Sequence, residues 1–436
     1  MSILTVRPAE PRRAAAAPNK VPLTGTPPAK RTVQRVAMIT ITAAFVFQPI
    51  LHPSGPVNSS PVDVLTVASI VTAAIWASTG HHKLQVPYWI PVSLMVAAGA
   101  ASGLHGALPS LSVVTLATDL LLFVWCVTVA NVLATPFVMR CALTAWSWSG
   151  IAWAAIVIAA WLGHVTALEG LQAASGNRVL FTFGDPNYAS AYWDATLFVV
   201  YATRVPSARW MRVLGYLLLV GALALTESNG GALALGVAIF FLLLVRSYRI
   251  RGWVGALATA VVIGSAVAVL FTALPLSSIR AWALNSGQPL LVNSIGRSAQ
   301  SSTERQVLIW EMGQLFQHSD SLLGIGPASI KPVLATQLFP YSNEAHDDFL
   351  AALIERGPIG LLGLLLLVGL VAARAGPILR GAVPARYAAV VPAPAGLVAA
   401  LLALAVNSFY EEILHFRFLW ALFGIVAILG ADRRRR

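Results

Sequence analysis

Residues 358–374 read PIGLLGLLLLVGLVAAR, and the first charged side chain of this stretch is Arg374 at its end. About 20 residues of α-helix are needed to cross a hydrocarbon core of about 30 Å, so the stretch suits a membrane span. Apolar blocks of similar length recur along the chain, which is 57% hydrophobic and only 11% charged, against about 25% charged residues in soluble domains. The sequence therefore predicts an all-α, polytopic membrane protein.

The links between the apolar blocks predict the number and orientation of the spans. The blocks predict about twelve membrane helices, at about 36–52, 62–79, 86–104, 110–134, 142–163, 187–203, 211–227, 229–246, 254–275, 358–374, 388–408 and 414–431. Alternate links carry Lys or Arg, whereas the links at 53–61, 105–109, 228–229 and 409–413 contain neither. Because positively charged links stay in the cytoplasm, both termini are predicted to be cytoplasmic and the membrane to be a bacterial inner membrane.

This topology divides the chain into segments. Residues 1–35, rich in Pro, Ala and Arg, are predicted to be a disordered cytoplasmic tail. The remaining segments are helices 1–9 (36–275), a large extracytoplasmic loop (276–357), helices 10–12 (358–431) and a basic cytoplasmic tail (432–436). The loop contains two helix-like patches, ERQVLIWEMGQLFQ and AHDDFLAALIER, around the turn-rich GIGPASIKP, so we expect it to be ordered and partly helical. The net charge of +12 is explained by Lys and Arg in the cytoplasmic links and tails. The sequence has no basic helix with interleaved aromatics, so it does not indicate binding of nucleic acid.

Polar side chains gather on the predicted outer face. Arginines on the outer face are unexpected, because Lys and Arg are normally concentrated in cytoplasmic loops. Arginine pairs bidentately with phosphate and stays charged when partly dehydrated, so the pattern predicts a site for an anionic group beside the membrane. The residues are Arg178, Asp185, Asn187, Glu227, Asn229, Arg280, Arg297, Arg305, Glu344, His346, Asp347, Asp348, Glu355, Arg356 and an acidic pair, Glu411 and Glu412, expected to be exposed.

Four stretches of this face resemble the O-antigen ligase and polymerase-like membrane proteins. They are NRVLFTFGDPNYASAYW before helix 6, LTESNGGALAL between helices 7 and 8, STERQVLIWEMGQLFQHSDSLLGIGPASI, and AHDDFLAALIERGPIGLLGLLLL. They follow one another in the order expected for that family. The family transfers glycans from a polyprenyl diphosphate carrier, so the resemblance implies a glycosyltransferase.

The resemblance also implies roles for individual residues. The enzyme would be inverting and need neither metal nor cofactor, with His346 as general base on the acceptor hydroxyl and Arg305 stabilising the diphosphate leaving group. Further substrate contacts are implied for Arg178, Asn187, Asn229, Asp347, Arg297 and Arg356. The partners would be a polyprenyl-diphosphate-linked glycan, a lipid or cell-wall acceptor, and the bilayer, which admits the polyprenyl tail.

Two positions depart from the pattern of that family. The turn between helices 7 and 8 usually has Ser-Arg, whereas this chain has Ser228-Asn229. One phosphate-binding arginine is therefore missing there, and Arg178, Arg297 or Arg356 are candidates to replace it. Asp347 stands where the family has Asn, and a carboxylate beside His346 is expected to raise the pKa of the imidazole or orient its ring.

Several alternatives stay open from the sequence alone. Asp119 and Asp194 lie within predicted spans, where isolated carboxylates mark function by default, so a secondary transporter is one alternative and a non-catalytic scaffold for polysaccharide assembly is another. Glu344, His346, Asp347 and Asp348 are rich enough in oxygen for a divalent cation, although their spacing matches no recognised ligand set. Ligase and polymerase chemistry are not distinguished.

Overall fold

The computed structural model describes residues 28–52, 60–80, 83–170, 178–318, 322–337, 339 and 342–431. Within these ranges the regular secondary structure is helical, and no strand occurs. The helices are α1 (Pro28–Val46), α2 (Pro61–Ser78), α3 (Trp89–His105), α4 (Pro109–Val132), α5 (Pro136–Leu162), α6 (Thr166–Glu169), α7 (Pro186–Thr203), α8 (Arg209–Leu225), α9 (Asn229–Ala273), α10 (Leu276–Asn285), α11 (Pro289–Leu291), α12 (Ser298–His318), α13 (Ile330–Thr336), α14 (Asp348–Leu379), α15 (Ala395–Asn407) and α16 (Arg417–Leu429).

Each predicted span overlaps a helix, although the span at 36–52 continues beyond the end of α1 at Val46 and the span at 388–408 begins before the start of α15 at Ala395. Helix α9 contains two of them, at 229–246 and 254–275, which meet at Gly252, a non-helical residue with φ of 67°. Five helices, α2, α4, α5, α9 and α14, are long and apolar enough to cross a membrane, and α3, α15 and α16 are shorter apolar helices. The chain is therefore an all-helical, multi-pass membrane protein, whereas the count of about twelve spans and their orientation stay predictions.

The predicted disorder of residues 1–35 is wrong for its last part, because α1 begins at Pro28. Proline suits the first position of a helix, where its missing N–H costs nothing. The residues that follow, AKRTVQR, contain Ala, Lys, Arg and Gln, which favour helix. Residues 1–27 and the predicted basic tail at 432–436 lie outside the described residues.

The core of the bundle is built around α7, α15 and α16, most of whose residues are buried. Helix α15 lies between α7 and α9, α16 packs against α4, and α14 packs against α3. Glycines allow the close approaches, since a Cβ on Gly396 would stand 2.8 Å from the Phe198 carbonyl oxygen and one on Gly424 2.9 Å from that of Cys126. Small residues at helix contacts are typical of membrane bundles.

A second and smaller core lies within residues 276–357, here called the cap. Both helix-like patches of the sequence are helical, one in α12 and the other, from residue 348, in α14. Leu308, Met312 and Leu315 of α12 pack with Ile330 and Leu334 of α13 and with buried residues at the start of α14. The described residues of the cap are therefore largely helical and share a small apolar core.

The Gly324-Ile325-Gly326-Pro327 turn holds the cap against a break in α14. Gly357 has φ of 65° and is non-helical, and Pro358 has no N–H, so helical bonding is interrupted there. The Ile325 N–H donates to the Ile354 carbonyl and the Gly326 N–H to the Glu355 carbonyl, both at 3.0 Å. The turn thus satisfies carbonyl groups that the break would leave free, and fixes the segment before Gly357 relative to α12.

We expect Gly357→Ala to destabilise the protein by about 2–4 kcal/mol, because the left-handed φ strains a side chain and the site has no room. A Cβ there would stand 2.2 Å from the Leu322 carbonyl oxygen. Thermal unfolding in detergent measures the loss. Gly369→Ala in the same helix is the matched control, since nothing lies within 4 Å of its Cβ. Equal melting temperatures for both variants would contradict the prediction.

Candidate active site

The link between α15 and α16 is fastened to the residues that precede α14. The Asp348 N–H donates to the Ser408 carbonyl at 2.9 Å, and its carboxylate accepts from the N–H groups of Ile413 at 3.2 Å and Leu414 at 3.3 Å. The Ala345 N–H donates to Glu412 Oε1 at 2.8 Å. These bonds bring the predicted general base, His346, against the link.

His346 lies on a buried carboxylate. Its Nδ1 is 2.6 Å from Oε2 of Glu411, of which 1% is exposed. Its Nε2 lies 2.9 Å from the Nδ2 of Asn343. Because an amide nitrogen only donates, Nε2 is the acceptor of this bond. Nδ1 is therefore protonated and donates a hydrogen bond to Glu411. The backbone of His346 has φ of 51°, a strained conformation of the kind that clusters at functional sites.

The environment of His346 changes its proton affinity in two opposing ways. Burial lowers the pKa of the imidazole, but the charge of Glu411 and its hydrogen bond outweigh burial and raise the pKa above its ordinary value. Burial likewise raises the pKa of Glu411, and His346 opposes that rise. His346 and Glu411 therefore titrate as one coupled pair, in which the protonation of either group depends on the charge of the other.

Arg305 reaches the same carboxylate from α12. Its Nη2 is 3.8 Å from Glu411 Oε1 and 3.4 Å from the Tyr410 carbonyl oxygen, and the guanidinium lies over the Tyr410 ring at 4.7 Å. A third of the side chain is exposed, at 33%. The predicted base and the predicted leaving-group arginine thus contact different oxygens of one carboxylate.

Asn187 ties Glu411 to two further segments. Its Nδ2 donates to Glu411 Oε1 at 2.5 Å, and its Oδ1 accepts from Arg178 Nη2 at 3.1 Å and from Ser228 Oγ at 2.7 Å. Asp185 caps α7, since its Oδ1 accepts from the Asn187 N–H at 2.7 Å. The side chain of Asn187 therefore positions the site from within, and its amide oxygen is occupied by protein donors.

Arg178, Arg297 and Glu227 form a group of charges beside Asn187. Arg178 is buried and donates from Nε to the Thr226 carbonyl at 2.8 Å. Burial, followed by the charge of Arg297, lowers the pKa of Arg178 to about 10, while burial raises the pKa of Glu227 to about 7. Among the described residues, the Nε of Arg297 is buried without a hydrogen-bond partner. Asn229 lies apart from these contacts, donating to the Ser294 carbonyl at 3.0 Å.

Residues 214–365 match the family model described as O-antigen ligase. This part of the chain is O-antigen ligase-like. The match includes Arg297, Arg305 and His346, whereas Arg178, Asn187 and Glu411 lie outside it. It supports a membrane glycan-ligase-like role in polysaccharide biosynthesis and confirms the resemblance found in the sequence. No curated protein matches the chain.

The O-antigen ligase-like region places two of the predicted substrate contacts away from Glu411. Arg356 forms an ion pair with Asp119, Nη2 to Oδ2 at 2.7 Å, beside a cavity of about 30 Å³ that Met95, Leu414 and Trp420 help to line. Asp347 caps α14, accepting through Oδ1 from the N–H groups of Phe349 at 2.8 Å and Leu350 at 2.9 Å. The carboxylate that contacts His346 is therefore Glu411, and not Asp347 as the sequence suggested.

Sequence reasoning underestimated Glu411, which was expected to be exposed and is buried. The one available signal was an acidic pair in a short link without Lys or Arg. Tyr410 gave no signal because its contacts with Arg305 arise from tertiary structure, and Asn343 gave none although it lies only three residues before His346. For the alternative of a divalent cation, no group of three or more His, Cys, Asp or Glu among the described residues is arranged to hold a metal ion. Glu344 instead accepts from the Tyr188 hydroxyl at 3.1 Å.

Substitution of Asp347 tests whether its helix cap is its role. We expect Asp347→Ala to lower the free energy of unfolding by about 1 kcal/mol, and Asp347→Asn, which preserves the cap, to leave it nearly unchanged. Melting temperature and the KM for the glycan donor are to be measured together. A raised KM in a fully stable Asp347→Asn variant would instead indicate a substrate contact.

Proposed function

We propose that this chain is a membrane glycosyltransferase. It moves a glycan from a polyprenyl diphosphate carrier to a lipid, wall or glycan acceptor at the outer face of a bacterial inner membrane. The observation that carries the proposal is the convergence of His346 and Arg305 on Glu411, at 2.6 and 3.8 Å. An imidazole whose Nε2 accepts only from the amide of Asn343, which an acceptor hydroxyl would displace, and a partly exposed guanidinium are the two groups that transfer from a diphosphate requires.

The proposed step is one displacement at the anomeric carbon. The Nε2 of His346 takes the proton of the acceptor hydroxyl as the new oxygen–carbon bond forms. The bond from the anomeric carbon to the diphosphate oxygen breaks, and its electron pair leaves on the carrier diphosphate, beside Arg305. Attack opposite to the leaving group inverts the configuration. Because a guanidinium supplies the positive charge, this step does not require a metal ion.

The diphosphate is proposed to extend from Arg305 toward Arg297 and Arg178. Arg297 has a buried Nε without a partner among the described residues, and its charge lies close enough to Arg178 to lower the pKa of that guanidinium. A bound anion would relieve the repulsion between the two cations. This supports Arg297 as the replacement for the family's phosphate-binding arginine, whose position is occupied by Asn229 in this chain.

We propose that the polyprenyl tail enters sideways from the bilayer. The predicted orientation, with both termini in the cytoplasm and about twelve spans, would put the cap and the link that carries Glu411 on the outer face. Of the two carboxylates that raised the alternative of a transporter, Asp119 pairs with Arg356 at 2.7 Å. Asp194 Oδ2 accepts from Asn407 Nδ2 at 3.3 Å, while its Oδ1 is buried without a hydrogen-bond partner among the described residues.

The test is reconstitution of the full chain in nanodiscs with an undecaprenyl-diphosphate glycan and candidate lipid and glycan acceptors. We expect release of undecaprenyl diphosphate and attachment of the glycan to an acceptor. The matched controls are His346→Gln for catalysis and Asp194→Asn for transport. Movement of the donor across the bilayer without cleavage would favour the transporter, and neither movement nor cleavage would favour the scaffold.

A further inference from the structure

Glu411 divides its two oxygens between the two reacting groups. Oε2 takes the Nδ1 proton of His346 at 2.6 Å, while Oε1 accepts from Asn187 at 2.5 Å and faces Arg305 at 3.8 Å. The side chain is buried, with 1% exposed. A buried carboxylate needs a positive charge to offset its desolvation, and in this site two groups can supply it.

The two partners of Glu411 are held with different firmness. The imidazole is fastened by a short hydrogen bond and by the bonds of Ala345 and Asp348 on either side of it. The guanidinium stands near the limit of ion-pair distance, at 3.8 Å, and 33% of its side chain is exposed, so that it has no comparable short bond to Glu411. Arg305 is therefore the partner that leaves when a stronger anion arrives, since guanidinium pairs bidentately with phosphate.

We propose that Glu411 exchanges its cationic partner during the reaction. Before reaction the cationic partner of Glu411 is Arg305, and His346 is neutral. As the leaving diphosphate gains negative charge it draws Arg305 away, while His346 gains the acceptor proton and becomes the new counter-ion of Glu411. The exchange deepens the proposed function and rests on it: Glu411 is a positioning residue that links departure of the diphosphate to activation of the acceptor.

Through this exchange, departure of the diphosphate and proton transfer to His346 each make the other more favourable. An interaction stronger in the transition state than in the ground state lowers the barrier, and the pairing of Glu411 with imidazolium strengthens as Arg305 departs. The other charged groups that act on His346 are Asp185 and Glu344, whose charges also favour the imidazolium. Neither is in contact with Arg305 in the described structure, so Glu411 is the group through which the arginine and the imidazole communicate.

Titration of His346 in the full-length protein tests the exchange without any glycan. Diethyl pyrocarbonate modifies only neutral imidazole, so its rate at the His346 peptide, followed by mass spectrometry against pH, reports the protonation midpoint. We expect Arg305→Ala to move the midpoint to higher pH, so that modification near neutral pH slows several-fold. Glu411→Gln is expected to move it to lower pH. Inorganic pyrophosphate should act on the wild type as Arg305→Ala does.

A double-mutant cycle separates the exchange from simple repulsion between Arg305 and His346. The shift caused by Arg305→Ala should be lost in the Glu411→Gln background, because the guanidinium then has nothing to release. Equal shifts in both backgrounds would overturn the proposal. Glu304→Gln is the matched control, a neighbour of Arg305 that bonds to Gln300 at 2.9 Å, and should leave the midpoint unchanged. If pyrophosphate only blocks access of diethyl pyrocarbonate to His346, the modification rate at high pH falls and the midpoint stays in place. That result would also count against the exchange.

The outcome is distinguishable from failure of the proposed function. Additive shifts in a protein that transfers glycan would overturn the exchange alone. Non-additive shifts in a protein that cleaves no donor would overturn the glycosyltransferase proposal and leave the linkage between the three residues in place. Glu411→Asp keeps the carboxylate. In that background Arg305→Ala is expected to move the His346 midpoint to higher pH, as it does in the wild type.

Discussion

Replacing His346 by glutamine is expected to reduce glycan transfer by about 10²–10⁴-fold, the usual contribution of a general base. Glutamine keeps a donor for Glu411 but has no nitrogen that accepts the acceptor proton. The measurement is the initial rate of undecaprenyl diphosphate release in nanodiscs at saturating donor and acceptor. His318→Gln is the control, since His318 is exposed at the end of α12 and its hydrogen bond among the described residues is to Gln314 of the same helix.

The pH dependence of transfer provides a second result for the same variant. Glu411 raises the pKa of His346 despite burial, and only neutral imidazole accepts a proton. Transfer is therefore expected to rise with pH through the raised pKa of His346 and to be lost below it. The residual rate of His346→Gln should lack this acidic limb. A variant that keeps both the rate and the limb would assign the base to another group.

Local sequence located several of the helices well, because length and apolarity are properties of neighbouring residues. The blocks at 62–79 and 187–203 differ from α2 and α7 by only a residue at either end. The start of α1 was missed because the residues after Pro28 are polar but still favour helix. In that segment, charge was taken as a sign of disorder, whereas helix propensity depends on side-chain entropy.

The site was only partly predictable because its centre is made by residues far apart in the chain. His346 and Glu411 are 65 positions apart, and Asn187 and Glu411 are 224 apart. Residue type alone indicated an arginine and a histidine on one face. It gave no means of choosing between Asp347, which is adjacent in sequence and caps a helix, and Glu411, which is remote and buried against the imidazole.

Replacing Arg305 by alanine is expected to lower kcat by about 10²–10³-fold, as for other single groups that stabilise developing charge. The effect should fall mainly on kcat, because the charge of the diphosphate increases as its bond to the sugar breaks. Arg305→Lys should recover only part of the rate, since an ammonium keeps the charge and loses bidentate pairing. Single-turnover rates of carrier release separate this effect from donor binding.

The matched control is Arg280→Ala, which removes an exposed arginine from α10 of the same cap and should leave the rate unchanged. It distinguishes a local role of Arg305 from general attraction of the anionic donor to the cap, which would weaken with salt and affect both variants alike. A donor with a better leaving group should reduce the defect of Arg305→Ala, because less charge then needs to be stabilised. If the defect instead stays constant across leaving groups and appears only in KM, Arg305 binds the donor without assisting its departure.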